Sequence, residues 1–237
     1  MRLAIIGYGK MGREIATIAR ERGHSIDLII DEENASDLNS ENLSRIDAAI
    51  EFSSPDAAFN NILTCLKEHT PVVSGTTGWL DRWDEIEKAC ETHSGAFFYA
   101  SNFSIGVNIL FAINSKLAEI MHGFPQYDVS LEEIHHIHKL DAPSGTAITL
   151  AEQITDKLDS KDGWALDRND KRKIHIEAKR EGEVNGTHKV IYDSDIDTIA
   201  ISHNAKSRKG FATGAVLAAE YLQDKKGIQS MKKMLNL

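Results

Sequence analysis

The chain has 237 residues, 41% of them hydrophobic and 27% charged, which leaves room for one large domain or two modest ones of ordinary soluble composition. A net charge of −9 argues against nucleic-acid binding, which calls for a basic stripe, and no apolar run is long enough to span a bilayer. The two cysteines, Cys65 and Cys90, fall inside expected helices and read as buried thiols of a reducing cytoplasm, where we expect the protein to reside.

Residues 2–7 are a short apolar run, the pattern of a strand buried on both faces rather than of a signal peptide. Gly7, Tyr8, Gly9, Lys10, Met11 and Gly12 follow and open a helix that ends near Gly23. Their glycines fit the fingerprint in which one gives a tight turn, one a close approach to a pyrophosphate, and one close packing of helix on strand. A second strand ends in Asp31, where an acid can hold the ribose hydroxyls of an adenine nucleotide or merely cap a turn.

Residues 32–46 are polar and are expected to form a loop with a short helix at most. Strands are then expected at 46–52, in TPVVSG and in GAFFYA, separated by helices at about 56–68 and in LDRWDEIEKACETH. Alternating strand and helix calls for a parallel sheet with right-handed crossovers. Asp31, Phe52 and Ser53, the Gly75-Thr76-Thr77 turn, and Ala100, Ser101 and Asn102 all fall at strand carboxyl ends. That is the edge along which open parallel sheets bind ligands.

After Asn102 the pattern changes. A helix is expected over 105–121, then an extended, partly alternating run through residue 139, a helix capped by Ser144 and reaching about Leu158, and a flexible polar loop over 159–172. Three further extended runs, KIHIEAKR, THKVIYDS and DTIAISHNA, suggest a second domain with an open, mostly antiparallel sheet. Too few helices remain to cover that sheet, so self-association is expected. The last helix, FATGAVLAAEYL, should return to the first domain with the turns after Gly227 beside it.

The densest chemistry lies in residues 132–146, EEIHHIHKLDAPSGT. Imidazoles exchange protons near neutral pH, and an ammonium stabilises developing negative charge. Ser144, Gly145 and Thr146 open a helix and offer N–H groups to a carboxylate. His135 and Lys139 share a side in either an extended or a helical backbone, and in a strand His136 and His138 share the other. Three histidines can also bind metal or simply occupy an exposed loop. Against a metal stand Lys139, which would repel a cation, and the lack of a Cys to complete a set, so no metal is expected.

These motifs together resemble the bacterial 4-hydroxy-tetrahydrodipicolinate reductases, also called dihydrodipicolinate reductases. The likeness rests on GYGKMGR, SGTTGW at 74–79, ASNFSIGVN at 100–108, EEIHHIHKLDAPSGTA at 132–147, REGEVNGTH at 180–188 and HNAKSRKGFATGAV at 203–216. The compressed acidic region 32–46 departs from longer family members.

The resemblance implies a Rossmann-type α/β domain over 1–104 and 206–237, and an α+β substrate-binding and oligomerisation domain over 105–205. It implies reduction of a small cyclic dicarboxylate by NADH or NADPH in lysine and diaminopimelate biosynthesis, by a homotetramer. His135 would be the proton donor with Lys139 as its partner. His136, Lys139, Ser144, Gly145 and Thr146 would hold the substrate. Residues 7–12, Asp31, Gly75, Thr76, Thr77, Ala100, Ser101, Asn102 and Phe103 would line the cofactor, as would Phe52 and Ser53 from their place on the same edge. Two other readings carry different demands. An aspartate-semialdehyde-type dehydrogenase needs a nucleophilic Cys on a loop, and a dinucleotide sensor has no use for His135 and Lys139.

Overall fold

In the computed structural model, which describes residues 1–207 and 209–237, strand β1 (Arg2–Ile6) sends side chains into two separate cores. Leu3 and Ile5 enter one, Ala4 and Ile6 the other, which is why the run is apolar throughout rather than alternating. Helix α1 (Lys10–Glu21), strand β2 (Ser25–Ile30), the short helix α2 (Ser40–Leu43), strand β3 (Ala48–Glu51), helix α3 (Pro55–Lys67), strand β4 (Val72–Ser74), helix α4 (Trp83–Thr92) and strand β5 (Ala96–Tyr99) follow. Helix α3 takes Pro55 at its first position, where a missing N–H costs nothing, and its buried Ala58, Phe59, Ile62, Cys65 and Leu66 line one face. These residues join Ile86 and Cys90 of α4 in the second core.

Helix α5 (Ile105–Met121), strand β6 (Asp128–His135), helix α6 (Gly145–Thr155) and strands β7 (Gly163–Ala165), β8 (Lys173–Arg180), β9 (Thr187–Asp193) and β10 (Thr198–Asn204) come next. Contacts divide the chain into two compact units, Met1–Ile105 with Lys209–Leu237, and Gly106–Arg208. In the second unit the sheet order is β10-β9-β6-β8-β7. The expected mostly antiparallel sheet is instead mixed: β10/β9 and β9/β6 are antiparallel, whereas β6/β8 and β8/β7 are parallel. The reason is the long connection through α6, which returns the chain to run β8 alongside β6 in the same direction. The polar stretch 159–172, expected as a loop, contributes the edge strand β7. One sheet face is covered, with Val129, Leu131, Ile174, Ile176, Val190 and Tyr192 packed on side chains of α5 and α6.

The chain then returns to the first unit as α7 (Lys209–Leu222), strand β11 (Gly227–Gln229) and α8 (Met231–Leu235). The residues after Gly227, expected as turns beside the last helix, supply a sixth strand. The sheet order is β11-β5-β4-β3-β1-β2, and all pairs are parallel. Its order reverses beside β1, so the first turn opens at a topological switch point. The small residues Ala212, Gly214, Ala215, Ala218 and Ala219 of α7 are buried in the core shared with α1. A Cβ on Gly214 would lie 1.8 Å from the Phe103 carbonyl oxygen, so no side chain fits there. We expect Gly214→Ala to lower stability by about 2–3 kcal/mol, on the scale of core overpacking. Gly210→Ala, whose Cβ would be 3.9 Å from its nearest neighbour, should stay within about 1 kcal/mol. Urea unfolding of the two variants measures the contrast.

Candidate active site

The first unit carries a cleft at the carboxyl ends of its strands. Its volume is about 650 Å³, and Gly7, Gly9, Asp31, Phe52 and Ser53 are among its walls. Gly7 has φ +90° and a Cβ there would sit 2.2 Å from the Phe52 carbonyl oxygen, so the turn demands glycine. Gly12 holds the helix against the strand, since a Cβ would lie 2.0 Å from the Gly7 carbonyl oxygen. Around Gly9 there is open space, which is where a pyrophosphate can approach the backbone at the start of α1. These features fit a dinucleotide. Arg13 is committed locally: Nε donates to the Tyr8 carbonyl at 3.1 Å, and the guanidinium lies 5.1 Å from the Tyr8 ring centre. Asp31 accepts from the Glu33 amide at 3.0 Å, and Glu32 and Glu33 line the same cleft.

Other residues expected on this edge pack into the core or stand beyond these walls. Phe103 is 2% exposed and packs, with its ring tilted, between Phe52 and Phe98 at 5.5 and 5.8 Å. Met11 packs against the α1/α7 core. The Phe52 ring fills the space a Gly75 side chain would occupy, 2.3 Å from its Cβ position. Lys10 is exposed, while Thr77, Ala100, Ser101 and Asn102 stand at the ends of β4 and β5, outside the walls of the cleft.

Sequence reading missed Glu51, which is wholly buried at the end of β3. Its carboxylate accepts from the Ser53 amide at 2.9 Å, Ser74 Oγ at 2.6 Å, Thr76 Oγ1 at 2.9 Å and the Ser53 hydroxyl. Thr76 Oγ1 in turn accepts from the Ser53 amide at 2.9 Å. One acid thus ties together two turns of the cleft edge.

In the second unit the strand register builds the site. Val129 faces Tyr192 and Leu131 faces Val190, all apolar and buried; one step further, Glu133 faces His188, and His135 lies beside Arg180. The inward face of β6 therefore passes from core to ionic network within one strand. Glu133 is fully buried. Its oxygens accept from the Ser144 amide at 3.1 Å and from Arg180 at 3.2 Å, and Oε2 lies 3.3 Å from His135 Nδ1 and 3.9 Å from His188 Nε2. Burial pushes this carboxyl up, but the facing His135 imidazole and the hydrogen bonds from Ser144 outweigh it and hold the group down at about 2. His188 is buried, with Nε2 3.1 Å from Ser144 Oγ, and burial followed by the neighbouring His135 lowers it to about 4. Its ring meets that of His135 edge-on at 5.1 Å.

Strand β6 ends at His135, so neither a continuous strand nor a helix joins it to Lys139, although both residues lie near enough to His188 to lower that imidazole. Residues 136–139 form a turn, closed by Lys139 N to His136 O at 3.1 Å and Ile137 N to Gly182 O at 3.1 Å. Arg180 secures the far end of this turn by donating to the carbonyls of Lys139 at 3.3 Å and Asp141 at 2.6 Å. Lys139 Nζ is paired with Asp141 at 2.8 Å, and this hydrogen bond holds the Asp141 carboxyl below its usual range. His138 pairs with Glu183 at 3.2 Å on the surface, and His136 is half-buried. Ser144 caps α6, its Oγ accepting from the Ala147 amide at 3.3 Å. Its amide and hydroxyl are thus both turned inward, and Gly145, with open space about it, and Thr146 form the outer part of the helix start.

Donor atoms of Glu133, His135 and His188 lie within 4.8 Å of one another, close enough for a metal. The Arg180 guanidinium already holds this carboxylate and would repel a cation there, so the cluster suits proton handling better. Both cysteines are buried, and burial drives the Cys65 thiol well above its ordinary value, which leaves a Cys-nucleophile chemistry without a nucleophile.

Residues 1–103 match the family model for the N-terminus of dihydrodipicolinate reductase, and residues 106–235 the model for its C-terminus. The chain is 53% identical to the 4-hydroxy-tetrahydrodipicolinate reductase of Christiangramia forsetii, over 100% of this chain and 98% of that protein. It is 37% identical to the enzyme of the same name from Akkermansia muciniphila, over 82% of each. A solved dipicolinate-bound dihydrodipicolinate reductase from Paenisporosarcina sp. TG-14 superposes with a TM-score of 0.79 over 98% of both chains at 22% identity, a likeness of fold. Among the described residues no helix is long and apolar enough to cross a membrane.

The network makes stability depend on pH with a definite sign. His188 takes up a proton in the unfolded chain below about 6.5 but in the folded one only near 4, so its contribution is complete above 6.5 and lost between 6.5 and 4. Glu133, lowered from 4.5 to about 2, contributes above 4.5 and loses that contribution between 4.5 and 2. Urea midpoints should therefore fall from pH 7 to pH 4, and His188→Asn should flatten that part of the curve. A wild-type midpoint constant over this range would contradict the assignment.

Proposed function

This chain belongs to the dihydrodipicolinate reductase family, and on that premise we propose how its residues share the work. It is an NAD(P)H-dependent oxidoreductase that reduces 4-hydroxy-tetrahydrodipicolinate to tetrahydrodipicolinate in lysine and diaminopimelate biosynthesis. In our reading, 1–104 with 206–237 hold the dinucleotide, and 105–205 hold the substrate and assemble the oligomer. The observation that carries the reading is the buried His135 beside the start of α6, both anchored on one carboxylate. An acid and an anion seat are thereby built as one piece.

A nicotinamide held at this cleft would supply hydride, and the substrate ring, gaining that hydride and a proton, would lose its 4-hydroxyl as water. His135 holds the proton to be delivered. Gly145 and Thr146, at the positive end of α6, seat a ring carboxylate, with Ser144 fixing their geometry. Lys139 trades Asp141 for the second negative charge of the substrate, and His136 contacts the ring. Gly9 and its neighbours receive the pyrophosphate, and Asp31 the adenosine ribose. His135→Gln and Lys139→Ala should each lower kcat by roughly 10²–10⁴, the scale of a general acid, with little change in cofactor affinity. Loss of nicotinamide absorbance with fresh substrate from the preceding synthase measures it, and near-normal turnover in both variants would overturn the roles.

We further propose that NADH serves at least as well as NADPH. Three carboxylates, Asp31, Glu32 and Glu33, border the cleft, and Arg13 is engaged with Tyr8, so a 2′-phosphate meets repulsion with Lys10 alone to offset it. An exposed lysine is worth about a kcal/mol or less. The ratio of kcat/KM for the two cofactors decides; a tenfold advantage for NADPH would mean that the cations prevail.

The protein acts, on this reading, as a cytoplasmic homotetramer that binds neither nucleic acid nor membrane. Support for assembly comes from the sheet of the second unit, whose Ser130, Glu132, Ile134, Lys189 and Ile191 point away from the face covered by α5 and α6. Ile199 on the edge strand β10 is 38% exposed as well. Sedimentation at micromolar concentration should give a tetramer, and a monomer would refute it.

A further inference from the structure

Glu133 is fully buried and neither carries hydride nor meets the substrate, yet it is the common partner of the proton donor and the anion seat. We infer that Glu133 is a positioning residue: anchored by Arg180 and the Ser144 amide, its carboxylate orients the His135 imidazole for proton delivery from Nε2. The inference rests on the reading of His135 as the acid.

Three observations carry it. First, the two nitrogens of His135 have different surroundings. Nδ1 is buried and faces Glu133 Oε2 at 3.3 Å, in an alignment short of a good hydrogen bond. Catalytic hydrogen bonds are often long in the absence of ligand and tighten when it binds. Nε2 lies beside Gly186, where a Cβ would come within 3.1 Å, so a side chain at this position would crowd the nitrogen. Second, Glu133 is itself fixed. Arg180 grips Oε1 and also the carbonyls of Lys139 and Asp141, and Ser144 N spans both oxygens. Third, an acceptor-only carboxylate below Nδ1 selects the ring state with a proton on Nδ1, which leaves Nε2 as the atom that exchanges.

The groups facing the His135 ring are Glu133 of its own strand, Arg180 from β8 and His188 from β9. Lys139 and Asp141 lie in the following turn, and His203 stands on β10. Among these Glu133 is the nearest negative charge. Losing a carboxylate that faces an imidazole works against the charged form of such a ring, so the pH dependence of turnover reads the pairing.

Glu133→Gln keeps the shape and removes the charge. We expect kcat to fall about 10²-fold, KM for NADH to stay within threefold, and the alkaline limb of the kcat/KM profile to move about one pH unit or more to lower pH. Glu133→Asp, which restores the charge, should bring the limb back. The double variant His135→Gln/Glu133→Gln should be no slower than His135→Gln alone, because one residue acts through the other. A limb that stays in place in Glu133→Gln, or a double variant whose losses multiply, would overturn the inference. If Glu133→Gln does not fold, kcat is read in Glu133→Asp, whose shorter arm draws the carboxylate away from Nδ1 while keeping its charge; full turnover there would refute the positioning role. His135→Gln separates the two levels. Full turnover there would sink the proposed acid itself, whereas lost turnover there beside an unmoved limb in Glu133→Gln sinks the positioning role alone.

Discussion

A carboxylate buried in the middle of a sheet has to be answered by its neighbours, because an ion left unpaired there costs several kcal/mol. In the second unit that constraint falls on Glu133, and much of the local structure meets it. Arg180 comes from β8, the Ser144 amide from the start of α6, and two imidazoles from β6 and β9. The turn after His135 is held by the same arginine, so the chain path and the charge balance share one origin. Removing any one partner would leave the others mismatched, which ties the chemistry to the fold.

The first unit uses the same device in neutral form. Glu51 ends β3 as a buried acid, but hydroxyls and an amide answer it rather than a cation. The result is rigidity at two turns that border the cleft, without a net positive field beside the cofactor. The acidic residues and hydroxyls that line the cleft suit a ligand that is polar along its length.

Much of this was legible in the sequence where the cause is local. The apolar run of β1, the glycine turn, and the alternation of strand and helix follow from periodicity and from φ requirements that a single stretch reveals. Ser144 as a cap was equally readable, since the signal spans four residues. What escaped depends on partners far along the chain. Glu133 shares the buried face of β6 with His135, a parity visible in the sequence, but its meaning requires Arg180 and His188, some fifty residues away. The direction of β8 depended on a crossover through α6, and β7 and β11 are too short for a periodic signal. Lys139 was reached by spacing alone: the i, i+4 argument assumes a regular backbone, whereas residues 136–139 turn and Arg180 holds the carbonyl of Lys139.

The first unit is also discontinuous, for its sheet and one of its cores are completed by α7, β11 and α8 after the whole second unit has intervened. Synthesis on the ribosome proceeds from the N-terminus, so residues 1–105 emerge with one face of their sheet covered by α1 but not yet by α7. The second unit is continuous and can close its core first. Assembly of the nucleotide cleft's scaffold is therefore deferred until the last helices arrive, and a growing chain keeps its first unit unfinished while its second is already shaped.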